Sequence, residues 1–294
     1  MGFRARLAAR QKAVNSLVCV GLDPLEEKTP AHIAPGRPLW LRVALHMISI
    51  VDATAPFASM YKPQKAHYEA IPDGQKALQM IVDYIHMKYP SIPVFLDCKR
   101  GDIDRTQAKY RFAHFEIDGV DGMNFSSYMG KDCMAQLVDK ENFPGRAIVG
   151  LCYTSNKSAR EVQDVILADG RAYWEFIAAC TLTWAEELGI TEDAGLVMAA
   201  AYEVKKGSGE IYSAHLSLCR KIVGNKFWYL MPGVGTQEGF IEETVSSAFI
   251  DAGSIAINSS SGITCVSMGE DYAEAAAHEA MNLRDTIRAA GGSC

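Results

Sequence analysis

Short runs of β-branched, aromatic and other apolar residues recur along the whole chain, each closed by Gly, Pro, Asn, Asp or Ser and most followed by a longer helical pattern. Eight of them stand out: SLVCVGLD ending at Asp23, FASMYKPQ at Gln64, IPVFLDCK at Lys99, VDGMNFSS at Ser127, AIVGLCYTS at Ser155, GLVMAAA at Ala201, FWYLMPGVG at Gly235 and SIAINSSS at Ser261. They are apolar without strict alternation, which is the pattern of strands buried on both faces in a parallel sheet. Between them, LWLRVALHMISIVDA, DGQKALQMIVDYIHMKY, TQAKYRFAHFEI and YWEFIAACTLTWAEEL repeat their apolar positions at three and four, which predicts helices. A polar stretch from Lys157 to Arg171 makes the connection after the fifth strand longer than a minimal one. Strand and helix alternating eight times predict an α/β protein of the (β/α)8 TIM-barrel class, with an open doubly wound sheet as the structural rival. No fixed-period repeat and no Pro/Ser-rich linker divides the chain, so residues 1–294 read as one barrel domain.

Composition narrows the function. With 49% apolar and 22% charged residues the chain is neither disordered nor collagen-like. Its formal charge, 29 − 35 = −6, is opposite in sign to the field that attracts nucleic acid, although a local basic pocket remains compatible with it. The first residues mix charges with short apolar pieces, and no run of 18 apolar residues follows, so the expected location is the cytoplasm and no membrane partner is expected. The eight cysteines read as small buried hydrophobes, with Cys19, Cys98, Cys152 and Cys265 in apolar, strand-like runs. No CxxC pair and no HExxH pattern occurs, so no metal site is expected.

In a (β/α)8 barrel the chemistry gathers where the strands end. The strand ends here carry Asp23, Lys62, Asp97, Lys99, Asp102, Ser155, Gln237 and Ser261. The densest stretch is FLDCKRGDIDRTQ, in which Asp97, Lys99 and Asp102 fall within six residues after an apolar strand. Side chains alternate along a strand, so Asp97 and Lys99 share a face. Two readings follow from the residues alone: a structural ion pair that closes the strand, or a lysine acid held protonated by flanking carboxylates. Lys65 and Arg100, beside the reactive positions, either touch ligand or complete ion pairs, and are left out of the site.

DCKRGDIDRT resembles the Asp-x-Lys-x-x-Asp-Ile-x-x-Thr signature of the orotidine 5'-monophosphate decarboxylase family. VCVGLDP at 18 to 24, YKPQKAHYE at 61 to 69, YTSN at 153 to 156 and MPGVGTQEG at 231 to 239 resemble further segments of its longer bacterial-type branch, in the same order. The resemblance implies a TIM barrel that decarboxylates orotidine monophosphate (OMP) to uridine monophosphate (UMP), in pyrimidine biosynthesis, without cofactor or metal. It implies Lys99 as the acid that protonates C6, Asp97 as the carboxylate beside the scissile group, and Lys62 as the partner of the ribose and of Asp97. It also implies that Asp102, Ile103 and Thr106 reach into the other subunit of a homodimer. Asp23 would bind a ribose hydroxyl, Ser155 the pyrimidine edge and Gln237 the phosphate end, with Pro232 also in the substrate site and Ser261 with Gly262 at the position of the phosphate.

At position 261 the family pattern has an arginine that grips the phosphate, whereas this chain reads Asn258, Ser259, Ser260, Ser261, Gly262, Ile263. A neutral hydroxyl replaces a planar, charged fork. Three expectations follow: backbone amides helped by Lys157, Lys205 or Lys206 still hold a phosphate; the substrate is an unphosphorylated or modified nucleoside; or the substitution weakens an ordinary enzyme. MAAAYEVKKGSGE after the sixth strand also departs from the Ala-Thr-x-Pro of the family. A relative acting on a sugar-phosphate β-keto acid and a non-catalytic nucleotide-binding homologue are the remaining alternatives. GVGTQEG misses GxGxxG spacing and lies far from the first strand, so no nicotinamide cofactor is expected. The aromatics of YWEFIAACTLTW read as core.

Overall fold

A computed structural model describes residues 1–205, 207–234 and 240–294. A strand falls on each of the eight apolar runs, two of them overrunning it by one residue: β1 (Val18–Leu22), β2 (Met60–Pro63), β3 (Phe95–Arg100), β4 (Gly122–Phe125), β5 (Ala147–Tyr153), β6 (Ala194–Met198), β7 (Trp228–Met231) and β8 (Ile255–Ser259). They form one parallel sheet in the order β2-β1-β8-β7-β6-β5-β4-β3. Parallel bridges from Tyr61 to Val94 and from Gln64 to Asp97 join β2 to β3, which closes the sheet as a (β/α)8 barrel rather than the open rival.

The connecting helices are α1 (Leu39–Thr54), α2 (Gly74–Lys88), α3 (Asp104–Phe112), α4 (Lys131–Ala135), α5 (Tyr173–Leu188), α6 (Ala214–Val223), α7 (Ile241–Ala248) and α8 (Tyr272–Ala289). In α1 the buried positions Val43, Met47, Ile50, Val51 and Thr54 form one stripe at helical spacing, laid against the outside of the barrel. Helix α5 stops at Gly189, whose φ of 61° is the left-handed cap that glycine adopts without strain. Among the described residues no helix is long and apolar enough to cross a membrane.

The barrel lumen holds its own apolar cluster, separate from the layer under the helices, built from Cys19, Met60, Phe95, Val149, Trp228 and Leu230 among others. A helix at Phe3–Val14, which the charge-rich start of the chain did not announce, closes the end where the strands begin. Its Phe3 stacks on Trp228 at 5.2 Å, and Phe95 meets the same indole edge-on at 5.7 Å. Gly195 is required there, since an added Cβ would lie 2.6 Å from the Trp228 carbonyl oxygen.

Three further features differ from the sequence expectations. Cys19, Cys98 and Cys152 are buried in strands, but Cys265 is only partly buried and follows the short helix Ser261–Thr264, because β8 ends at Ser259. The segment after β6 forms a small antiparallel hairpin, Tyr202–Glu203 with Ile211–Tyr212. Beyond α3 the predicted helix continues as a π-helical turn, Ala113–Ile117.

Below the barrel floor, Asp121 is a buried hub that accepts bonds from Arg6, Arg146, His86 and the Val94 amide. Burial alone would raise its carboxyl, but the His86 hydrogen bond, the charges of Arg6 and His86 and the Val94 N–H outweigh this and bring it down to about 2. The folded value lies below the ordinary 3.8, so the stability this gives is present above about pH 4 and is lost as pH falls through about 2. It amounts to about 2 kcal/mol. Asp121→Asn should cost about 3 kcal/mol at neutral pH, because it strands two arginines. In urea unfolding the gap between the two proteins should narrow as pH is lowered from about 4 to about 2.

Candidate active site

Strand parity assembles the site. Phe95 and Met60 face the lumen, so Asp97 and Lys62, two residues further on, face it one layer higher, where the strands end. Asp97 stands between two ammonium groups: Lys99 Nζ donates to its Oδ1 at 2.6 Å, and Lys62 Nζ lies 3.5 Å from its Oδ2. Lys62 Nζ is also 3.6 Å from Asp23 Oδ1. Thus Asp23, Lys62, Asp97 and Lys99 form one alternating row of charges at the barrel mouth.

The row is deeply set at one end and open at the other. Lys62 is buried, whereas the Lys99 side chain is 47% exposed, so its ammonium is the accessible one. Burial opposes the charged form of Lys62, but Asp23 and Asp97 together overcome it and raise its pKa. Burial likewise opposes the Asp97 carboxylate, and Lys62, Lys99 and the Asn124 amide reverse this and hold it below the ordinary range. Both groups are therefore charged at neutral pH. Asp23 Oδ1 is buried and makes no hydrogen bond within the chain, an acceptor free for a donor on a bound molecule.

Lys99 does not sit in a regular strand as its spacing suggested. Its φ is +47°, in the left-handed region that costs a side-chain-bearing residue about 1 kcal/mol or more, and the ladder to β4 slips between Leu96 and Arg100. Asn124 holds this bulge. Its Oδ1 accepts the amides of Cys98 at 2.9 Å and Lys99 at 2.7 Å, while its Nδ2 donates to Asp97 Oδ1 at 2.7 Å. Sequence reasoning missed Asn124; its even spacing from Gly122, the first residue of β4, is the signal that it faces the lumen with Asp97.

The other expected residues are dispersed around the mouth. Asp102 does not join the charge row within the chain: no ion pair among the described residues involves it, and it accepts the Ile103 amide at 2.8 Å. Ile103 and Thr106 are exposed and line an open hollow of about 630 Å³ with Arg105 and Gln136. Ser155 and Pro232 line a different cavity, of about 620 Å³, together with Lys157, Arg160, Tyr202 and Gly233. Neither hollow is lined by Lys62, Asp97 or Lys99.

Ser261 is exposed at the start of a four-residue helix, with Gly262 half-buried behind it. Ser260 packs onto β1 so closely that a Cβ on Gly21 would lie 1.9 Å from its Oγ, which fixes how this turn meets the barrel. Gln237 and Lys206 lie outside the described residues. Of the cations suggested to replace the missing arginine, Lys157 lines the second cavity and Lys205 is exposed without lining it. Arg160, which the sequence reading did not single out, lines it too, with its guanidinium 4.7 Å from the centre of the Tyr202 ring.

Residues 16–277 match the orotidine 5'-phosphate decarboxylase / HUMPS family. The orotidine 5'-phosphate decarboxylase of Bordetella avium (strain 197N) is 36% identical over 290 residues, covering 98% of this chain and 99% of the relative. That of Azoarcus sp. (strain BH72) is 34% identical with the same coverage. Among solved structures, a Toxoplasma gondii protein described as an orotidine-monophosphate-decarboxylase superposes with a TM-score of 0.83 at 28% identity, covering 98% of this chain and 96% of its own. Leishmania donovani OMP decarboxylase gives 0.76 at 26% identity, with 99% and 98% covered.

The charge row itself can be tested without any ligand. In Asp97→Asn, Lys62 keeps Asp23 as its only carboxylate partner among the described residues, so its ammonium should titrate at lower pH than in the wild type. NMR titration of the lysine Cε signals reads this directly, and an unmoved Lys62 would mean that Asp97 does not hold it charged.

Proposed function

The chain belongs to the orotidine 5'-phosphate decarboxylase / HUMPS family, and we propose on that premise that it decarboxylates OMP to UMP in pyrimidine biosynthesis, with Lys99 as the acid and no cofactor. The observation that carries the reading is Asp97 held between Lys62 and Lys99 at the mouth of a barrel similar over its whole length to these decarboxylases.

In the proposed step the bond from C6 to the carboxylate carbon breaks, carbon dioxide leaves, and the electron pair stays on C6. Lys99 gives its proton to that carbon and regains one from water. A fixed ammonium beside the developing carbanion supplies charge and proton together, and it needs no reorganisation because Asp97 already orients it. Asp97, next to the departing carboxylate, helps to keep Lys62 protonated and orients the Lys99 ammonium. Asp23 Oδ1, ion-paired with Lys62 but accepting no hydrogen bond within the chain, supports a ribose hydroxyl as its donor. Ser155 is assigned to the pyrimidine edge, with Pro232 beside it and Gln237 toward the phosphate.

Residues 1–294 are read as one catalytic barrel, acting in the cytoplasm as a homodimer. Exposed apolar side chains after β3 and β4 support the dimer: Ile103, 45% exposed, lines the hollow with Thr106, and Tyr128 is 80% exposed. A second copy seated there would bring its own Asp102, Ile103 and Thr106 toward the Lys99 of the first, which accounts for an Asp102 that finds no ion-pair partner among the described residues.

Ser261 favours a second reading, an unphosphorylated nucleoside substrate, and one assay separates the two. Steady-state decarboxylation, followed by ultraviolet absorbance, should show turnover of OMP that is lost in Lys99→Ala. It should rise about tenfold or more in kcat/KM in Ser261→Arg, since a charged hydrogen bond contributes about 1.5–3 kcal/mol. Turnover of orotidine alone, with none of OMP in either protein, would overturn the phosphate reading. For the dimer, mixing Asp102→Ala with Lys99→Ala protein should restore activity through heterodimers that carry one intact site. Confirmed heterodimers without activity would exclude sharing.

A further inference from the structure

Behind the strand that carries Lys99 lies a second polar cluster, more deeply buried than the first. Lys65, His114 and Asp118 are 6%, 1% and 2% exposed. Lys65 Nζ donates to Asp118 Oδ2 at 2.8 Å, Gln75 donates to the other carboxylate oxygen, and His114 Nδ1 meets Oδ2 at 2.7 Å. On the far side of the ring, Arg100 Nε donates to His114 Nε2 at 3.0 Å. Arg100 also donates to Glu69 at 2.6 Å and lies 4.7 Å above the Tyr110 ring.

These contacts fix the histidine's proton. A guanidinium only donates, so Nε2 must be the acceptor, the proton sits on Nδ1, and the ring is neutral. The cluster also ties together the segments that present both lysines. Lys65 and Glu69 belong to the short helix three residues beyond Lys62, and Arg100 follows Lys99 directly. His114 lies in the π-helical turn that ends α3, which brings its ring to Asp118 and Arg100 at once. Arg100 is also the residue at which β3 rejoins the ladder after the bulge, paired with Phe125 and accepting the Ser126 amide at 2.7 Å.

Buried ion pairs seldom stabilise more than a well-packed apolar set would, so an account of this one has to come from what it orients. We propose that His114 is a positioning residue: as a neutral acceptor it holds Arg100, and through Arg100 the bulge that presents Lys99, and acidification releases that hold. This deepens the decarboxylase reading and its activity readout rests on it.

Protonation would turn Nε2 into a donor facing the Arg100 Nε–H. The groups facing the ring are Asp118 on its own segment, Lys65 from the helix after β2, Arg100 from β3 and Tyr110 from α3. Burial and the two cations outweigh Asp118 and keep the imidazole pKa below its usual 6.5. The hold is therefore intact at neutral pH and is lost on the acid side.

The test compares wild type, His114→Gln and His114→Ala from about pH 8 to about pH 5. It reads kcat and KM for OMP, and amide hydrogen exchange across residues 95–106. Glutamine accepts from Arg100 through its oxygen and donates to Asp118 through its nitrogen, yet does not titrate. It should keep the neutral-pH kcat and the slow exchange and lose the acid-side fall seen in wild type. Alanine should lower kcat about tenfold to a hundredfold, with less change in KM, and speed exchange at the Lys99 turn. An alanine variant with wild-type kcat and exchange would overturn the proposal, and so would a glutamine variant with the wild-type acid fall. If alanine fails to fold, wild type against glutamine decides. Exchange decides alone if the wild type leaves OMP untouched, an outcome that overturns the activity and not the positioning.

Discussion

The mouth of this barrel is organised around a single carboxylate. Asp97 is largely withdrawn from water, yet it stays ionised because two ammonium groups and the Asn124 amide converge on its two oxygens. Removing such a group from water costs several kcal/mol unless partners of this quality are already in place. The partners come from three strands, so the row exists only when β2, β3 and β4 are in register. Barrel closure and site assembly are the same event.

That constraint explains the irregular backbone at Lys99. A lysine on a regular strand would rise straight out of the lumen beside Asp97. The left-handed turn at Lys99 and the slipped ladder to β4 give its ammonium a defined place, at a backbone cost offset by two amides captured by Asn124. Strain of this kind persists only where surrounding structure over-determines it, and Arg100, pinned on the other side of the strand by Glu69 and His114, supplies the second half of that support.

Much of this was legible in the chain. Strands buried on both faces write themselves as apolar runs, and all eight were visible, as were the residues at their ends. Period-two alternation paired Asp97 with Lys99 and the two do meet, but through the left-handed turn at Lys99 and not a regular strand, a bulge invisible in the chain because no glycine occupies it. The N-terminal helix went unseen because it buries Phe3, Leu7 and the polar Gln11 in place of a clear apolar stripe. Lys65 and Arg100 were recognised as ambiguous, and the structure resolves them as members of an ion-pair network. Their partner His114 gave no signal, since a lone histidine in a helical pattern reads as surface or satisfied core, and only the widened turn after α3 brings it inward.

The position occupied by Ser261 turns on charge rather than shape. The turn before it is fitted to the barrel by the contact between Ser260 and Gly21, so the backbone there is tightly placed while the side chain that follows is small and neutral. A phosphate dianion needs compensation from somewhere near the strand ends. Lys157 and Arg160 line a cavity with Ser155 and Pro232, and Arg160 rests over Tyr202 on the hairpin that stands where the family pattern has Ala-Thr-x-Pro. Arg160, carried on the short helix Ala159–Gln163 and seated on an aromatic ring, would bind an anion less rigidly than an arginine fixed at a strand end, because it must be immobilised when the ligand arrives. On the proposed reading, an exchange of charge from β8 to the segment after β5 would weaken the grip on phosphate without altering the Asp97 row.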